Sequence, residues 1–279
     1  MSRVAPLFLA AAAVAAVAAC TDDPPAVDPT PTWQPLVSSA WTLQPGEEKT
    51  SQLAVTSVDQ DLAVTAIRPI APPGTHHTLL AAGDASLSNT NIIYASGVGT
   101  PEIAFPDGVA LSLRAGSLLG LQLHIYNNTD APLSGTSGIE VKTMDPAAVQ
   151  HEVDLFLPGP KDLTIPPGTS TVSGTCTVTS DQTVFGLFPH MHQYGAHLKT
   201  TLTVGGTTMV LHDDAYSFEH QQIAMFAPIQ LHAGDTITTE CTWNNTTAAT
   251  LHYGESSDTE MCYSILFRYP DDGREFCEQ

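Results

Sequence analysis

The chain has 279 residues, enough for one large or two ordinary domains, each burying its own core, and its 29 acidic against 9 basic side chains give a net charge of −20. That balance excludes the basic stripe which binding to nucleic acid or to an anionic lipid surface requires. It names no substrate, because an acidic, Thr-rich surface is also what a secreted β protein ordinarily carries.

In chain order, Met1-Ser-Arg3 is a short basic start, residues 7–19 are an unbroken run of apolar and small side chains, and Val17-Ala-Ala-Cys20 looks like a bacterial lipobox. The run is too short to span a bilayer comfortably and reads as an export signal over residues 1–20. Cleavage before Cys20 and lipidation of its thiol are expected. This makes the protein an exported lipoprotein of the bacterial cell envelope, periplasmic or surface-facing, touching membrane only through its anchor. Thr21 stands where inner-membrane retention would call for Asp, which favours the outer membrane. Residues 21–35, TDDPPAVDPTPTWQP, have little to bury and are expected to form an extended tether.

From residue 36 onward, short alternating or apolar runs alternate with turn chemistry. Strands are predicted at Ser51-Gln-Leu-Ala-Val-Thr-Ser57, Asp61-Leu-Ala-Val-Thr-Ala-Ile67, Ser117-Leu-Leu-Gly-Leu-Gln-Leu-His-Ile-Tyr126 and Gly138-Ile-Glu-Val-Lys-Thr143. Pro72-Pro-Gly74, Pro106-Asp-Gly108, Asn127-Asn-Thr-Asp130 and Pro166-Pro-Gly168 punctuate them. With no helical period, the fold class is all-β, as two consecutive antiparallel β-sandwiches at residues 36–147 and 148–279. Asn127-Asn-Thr129 and Asn244-Asn-Thr246 match the glycosylation pattern but read as turns. Cys176, Cys241, Cys262 and Cys277 all fall in the second sandwich, an even number in an oxidising compartment, and imply two disulfides; the close paired spacings of a zinc ribbon are missing.

Each sandwich contains a cluster of metal-ligand type. In the first, Ala71-Pro-Pro-Gly-Thr-His76-His77-Thr-Leu-Leu80 is followed by Leu121-Gln-Leu-His124. Adjacent His76 and His77 point to opposite faces of a regular strand, so shared coordination with His124 requires a bulge. Gln122, on the face of His124, is placed to orient an imidazole. In the second, His190 and His192 project from one strand face about 7 Å apart. Met261 is the candidate third donor. Imidazole alone suits zinc, nickel, iron or copper; a thioether joined to two imidazoles selects a soft ion, and Cu(I) is the usual biological one.

The order of these features resembles the copper type II, ascorbate-dependent monooxygenases, the family of peptidylglycine α-hydroxylating monooxygenase and dopamine β-monooxygenase. The matching segments are Thr75-His76-His77-Thr-Leu-Leu80, Leu121-Gln-Leu-His124, Thr164-Ile-Pro-Pro-Gly168, His190-Met-His192 with Gly195, and Ser256-Ser257 leading to Glu260-Met261-Cys262. The resemblance implies two jelly-roll-like domains and disulfides Cys176–Cys277 and Cys241–Cys262. It further implies an electron-storing copper on His76, His77 and His124, and a catalytic copper on His190, His192 and Met261 where O2 is activated. Departures accompany it. The family's first domain has its own disulfides and this one has no cysteine after Cys20. Where the peptide-amidating members place an Arg two residues before the HxH pair, this chain has Phe188. Tyr263 and Ile265 stand where those members have Asn and Tyr. The loss of a bidentate cation and two polar partners argues against a glycine-extended peptide substrate.

The expected activity is therefore hydroxylation of a C–H bond of a small-molecule substrate, using O2 and two electrons from ascorbate or a periplasmic donor, with two coppers per chain. A copper-binding protein that relays the metal without catalysis would carry the same fold and ligands, and substrate-coupled O2 consumption separates the two. His151, His197, His212, His220, His232 and His252 receive no ligand role, with His197 and His252 closest in sequence to the second cluster.

Overall fold

In the computed structural model, residues 32–83, 90–254, 259–270 and 272–278 are described. The expected export signal, Cys20, residues 21–31 of the expected tether and Ser256-Ser257 lie outside them. Residues 31–279 form one compact unit, built almost wholly of strands, with no α-helix among the described residues.

The first half contains β1 (Gln34–Leu43), β2 (Glu48–Ser57), β3 (Leu62–Ile70), β4 (Thr75–Gly83), β5 (Thr90–Ser96), β6 (Ile103–Ala104), β7 (Val109–Leu113), β8 (Leu118–Tyr126) and β9 (Leu133–Met144). The second contains β10 (His151–Glu152), β11 (Asp154–Gly159), β12 (Thr164–Ile165), β13 (Gly168–Thr177), β14 (Gln182–Met191), β15 (Gly195–Val204) and β16 (Thr207–Ala215). It continues through β17 (Ala224–Leu231), β18 (Thr236–Asn245), β19 (Leu251–His252), β20 (Cys262–Tyr269) and β21 (Phe276–Glu278).

Both halves follow one plan. Sheet β1-β9-β3-β7 faces sheet β2-β8-β4-β5, and β11-β20-β14-β17 faces β13-β18-β15-β16, so the strand order of one half maps onto the other. Two four-stranded antiparallel sheets connected in this order are a jelly roll. The alternation that builds them is plain in β8, where Leu119, Leu121, Leu123 and Ile125 are buried while Leu118, Gly120 and Gln122 on the opposite face are half-buried. The plan extends to hydrogen bonds. Asn127 donates from Nδ2 to the carbonyls of Leu43 and Ala131 and accepts at Oδ1 from the amide and hydroxyl of Thr129. Asn245 does the same with Ile165, Ala249 and Thr247. Buried side-chain amides close the same turn twice, so both Asn-Asn-Thr segments form the turns their sequence suggests.

One apolar cluster joins the halves. Phe105 packs edge-on to Phe185 with ring centroids 5.9 Å apart and lies 6.2 Å from Phe267, and Phe188 and Ile223 complete the second half's contribution. A short parallel pairing of β10 with β7 adds a backbone link. The second half has two further cores of its own. Both disulfides are formed as expected: Cys176–Cys277 ties β13 to β21, and Cys241–Cys262 ties β18 to β20 across the two sheets, with Cα atoms 5.9 Å apart.

Candidate copper sites

The first cluster is assembled by a turn and a bulge. Thr75 N–H donates to the Pro72 carbonyl, and Gly74 sits at φ 97°, where an added Cβ would lie 2.7 Å from the Trp41 ring and 2.8 Å from Leu133. Only glycine lets the chain pass so close with that dihedral. The β4–β8 register then slips between Thr75, opposite Ile125, and His77, opposite His124, leaving His76 as the extra residue. That is the bulge the adjacent histidines require, and it brings one ligand nitrogen from each of His76, His77 and His124 within 4.8 Å of one another.

The donor chemistry fits a metal. His124 Nδ1 and His77 Nδ1 are 3.3 Å apart. Two nitrogens each about 2.0–2.1 Å from a first-row ion at a tetrahedral angle would be separated by roughly that much. His124 Nε2 lies 2.5 Å from Glu48 Oε1. A carboxylate accepts there, so Nε2 carries the proton and Nδ1 presents its lone pair inward. Glu48 was not foreseen from sequence: it follows Pro45-Gly46 on a strand distant in sequence, and only the β2–β8 pairing, which sets Glu48 opposite Tyr126, reveals it. Gln122 does lie on the ligand face of β8, but among the described residues it makes no hydrogen bond to an imidazole; Glu48 occupies the supporting role expected of it.

The second cluster sits on the other sheet type, at the end of β14. His190 and His192 share one face with ring centroids 5.3 Å apart. His190 Nδ1 is 3.1 Å from Gln221 Oε1, and the amide orientation is fixed because Gln221 Nε2 donates to the Phe218 carbonyl. His192 Nδ1 is 2.9 Å from the Thr259 carbonyl. Both partners are acceptors, so both Nδ1 atoms are protonated and both Nε2 atoms carry lone pairs for a ligand. Burial pushes the His190 imidazole down to about 4, against a smaller upward influence of the Gln221 hydrogen bond, and keeps it neutral and able to ligate.

Met261 lies just beyond the paired residues. His190 pairs with Tyr263 and Met191 with Cys262, where the ladder ends; continuing that register by one residue would set Met261 opposite His192 on the same face, with Cβ atoms about 4.5–5.5 Å apart. What holds that segment is Glu260. Its fully buried carboxylate accepts from the His192 and Tyr194 amides at 3.0 and 2.9 Å and from Trp243 Nε1 at 2.8 Å. On its other side Met261 is followed by the disulfide-bonded Cys262. Gly195 is also explained: a Cβ there would lie 2.7 Å from the Tyr216 ring and 2.8 Å from Met191, and Tyr216 donates to the Met191 carbonyl between the two histidines. Two nitrogens and a thioether on one face fit a soft ion.

The remaining candidates resolve elsewhere. His197 pairs with Asp213 at 3.1 Å, and His252 Nδ1 is held by the Leu163 carbonyl. Phe188 is buried in the core joining the halves, Ile265 packs against it, and Tyr263 is buried with its hydroxyl directed to Tyr253. None of these three positions offers a cation to a carboxylate.

The first half thus gathers three imidazoles and the second sets two imidazoles on one face, donor sets suited to a redox-active metal. Residues 153–279 match the family model described as the copper type II ascorbate-dependent monooxygenase, C-terminal domain. The match identifies residues 153–279 as a domain of the copper type II ascorbate-dependent monooxygenase family. No curated protein matches the chain. Among solved structures, one of infectious bursal disease virus Gt strain is 10% identical over 85% of this chain and 71% of that one, with a TM-score of 0.23. A223, a turret protein in Sulfolobus turreted icosahedral virus, is 11% identical over 85% of this chain and 97% of that one, with a TM-score of 0.18. Likeness at these scores carries no functional weight.

Proposed function

We propose that the protein is a two-copper monooxygenase that hydroxylates a C–H bond of a small, largely apolar molecule. The reaction is R–H + O2 + 2e⁻ + 2H⁺ → R–OH + H2O, with electrons supplied singly by ascorbate or a periplasmic donor. The observation that carries it is the second site: His190 and His192 each commit Nδ1 to a carbonyl oxygen and leave Nε2 free to ligate, inside a domain matched to this family, with Met261 as the donor that the continued register would bring to their face. Copper at the two sites would supply O2 activation and one-electron transfer. The protein's own residues hold the ligands in one protonation state, exclude water with Phe188 and Ile265, and keep the sulfur donor in place through Glu260 and Cys262. His76, His77 and His124, lacking sulfur, suit an ion that stores and passes electrons. Apolar Phe188 and Ile265, with the enclosed Tyr263, leave no clamp for a substrate carboxylate, which favours an uncharged aliphatic or aromatic substrate. In the same reading the protein works in the bacterial cell envelope, anchored by a lipid on Cys20.

The test is reductant-driven O2 consumption by copper-loaded protein across a panel of aliphatic and aromatic substrates, with Met261→His as the comparison. Imidazole replaces thioether in the variant, so copper should stay near two per chain while substrate-coupled uptake collapses. A panel with no substrate-dependent uptake by the unaltered protein would instead establish a copper relay. Coupled uptake undiminished in the variant would remove Met261 from the site.

A further inference from the structure

The segment between β16 and β17 crosses from one candidate site to the other. Tyr216 donates to the Met191 carbonyl and Gln221 accepts from His190 at the second site. Ile223 is buried in the core joining the halves. Between these anchors a single 3-10 turn, Phe218–His220, closes through His220 N–H to the Ser217 carbonyl, and it carries the His220 imidazole to His76. The two ring centroids are 6.1 Å apart at 41°. Imidazoles within the candidate ligand sets lie at comparable separations, 5.7 Å for His76–His77 and 5.3 Å for His190–His192. His220 is exposed, and among the described residues its side chain makes no hydrogen bond or ion pair; its one ring neighbour is His76.

Copper's two oxidation states ask for different surroundings. Cu(I) is satisfied by the three imidazoles already gathered, whereas Cu(II) prefers a tetragonal set of nitrogen and oxygen donors and so calls for a fourth. Water can fill that place. An imidazole that reaches it by moving between staggered rotamers, on a turn anchored at both ends, fills it with a stronger donor and little loss of order. We propose that His220 is the fourth nitrogen donor of the His76–His77–His124 site, taken up when the copper is oxidised and released when it is reduced. The proposal rests on the reading of that site as a copper site. Because Gln221, the next residue, holds His190, the same turn would connect the oxidation state of one site to a ligand of the other.

The experiment uses the full chain with the second site disabled by His190→Ala and His192→Ala, with and without His220→Ala. Copper content comes from elemental analysis and Cu(II) coordination from pulsed EPR. The expected result is one copper per chain in both proteins, four coupled imidazoles on Cu(II) with His220 present, and three without it. Cu(II) affinity should fall tenfold or more in the variant with Cu(I) affinity unchanged, which raises the reduction potential by about 59 mV or more for this one-electron couple. Three imidazoles in both proteins with equal Cu(II) affinity would overturn the proposal and leave His220 a surface residue beside a water-completed site. A chain that takes up no copper would instead sink the site reading itself, and the proposal with it.

Discussion

Glu48 shows how much one side chain outside the candidate ligand set can govern a site for metal. Its Oε1 fixes the proton on His124 Nε2 and so turns His124 Nδ1 toward His77. Glu48→Gln keeps the size but weakens the acceptor, and such supporting partners typically contribute about 10–100-fold to metal affinity. Copper competition titrations should show a loss of that order at the first site with the second unchanged. His190 makes the complementary case for protonation. Its pKa lies near 4 when folded against an ordinary 6.5, so the unfolded chain binds a proton first as pH falls. Copper-free protein should hold this part of its stability above about pH 6.5 and lose it progressively as pH falls toward 4. Denaturant midpoints at pH 7 and pH 5 would show the drop, and His190→Asn should flatten it. The histidines that gather at the two clusters were legible in sequence because imidazoles at these spacings are chemically specific. Glu48, Gln221 and Glu260 were not assigned supporting roles, because each acts through a partner between 31 and 76 residues away, and only strand register names that partner.

At the scale of elements, the sites differ in how they are built. A bulge in β4 makes the first, whereas register between β14 and the start of β20 makes the second. The bulge could be anticipated, since two adjacent histidines cannot share a face of a regular strand and Pro72-Pro73-Gly74 precedes them. The assignment of the two sites to different sheets could not, because alternation says which residues share a face and not which sheet that face belongs to. Cys241–Cys262 closes a separation of 21 residues and abuts Met261. Replacing the pair by Cys241→Ala with Cys262→Ser should cost about 2–4 kcal/mol in denaturant unfolding. Copper should be lost from the second site before the first, and elemental analysis across a chelator series would check the order. Equal loss from both sites would mean that Glu260 alone suffices to place the sulfur.

Across the whole molecule, the repeated plan is visible in the matching strand orders and in the Asn127 and Asn245 turns, and even the register slip of β4 recurs in β15 between Gly195 and His197. Sequence reading found two sandwiches but not their sameness, since strands with this little sequence in common become comparable only once paired. The position equivalent to His77 is then His197, yet His197 pairs with Asp213 and takes no part in a ligand set. The two halves use one scaffold and place their chemistry at different points on it, joined through Phe105, Phe185 and Phe267.

The restraints on the ligands bear on how this protein matures. Glu48, Gln221, the Thr259 carbonyl, the Glu260 carboxylate and the Cys241–Cys262 bond hold the donors by contacts that need no ion. Folding is then separable from loading, unlike in small metal-dependent domains that are unstructured without their ion. Chelated protein should keep its far-UV circular dichroism and melt cooperatively, at a temperature lower only by the linkage that metal binding adds. It should recover full copper on re-addition without a refolding step. A chain that unfolded on chelation would show these contacts to be insufficient. The consequence is one of sequence in time: the polypeptide can finish its architecture first and acquire a metal afterwards.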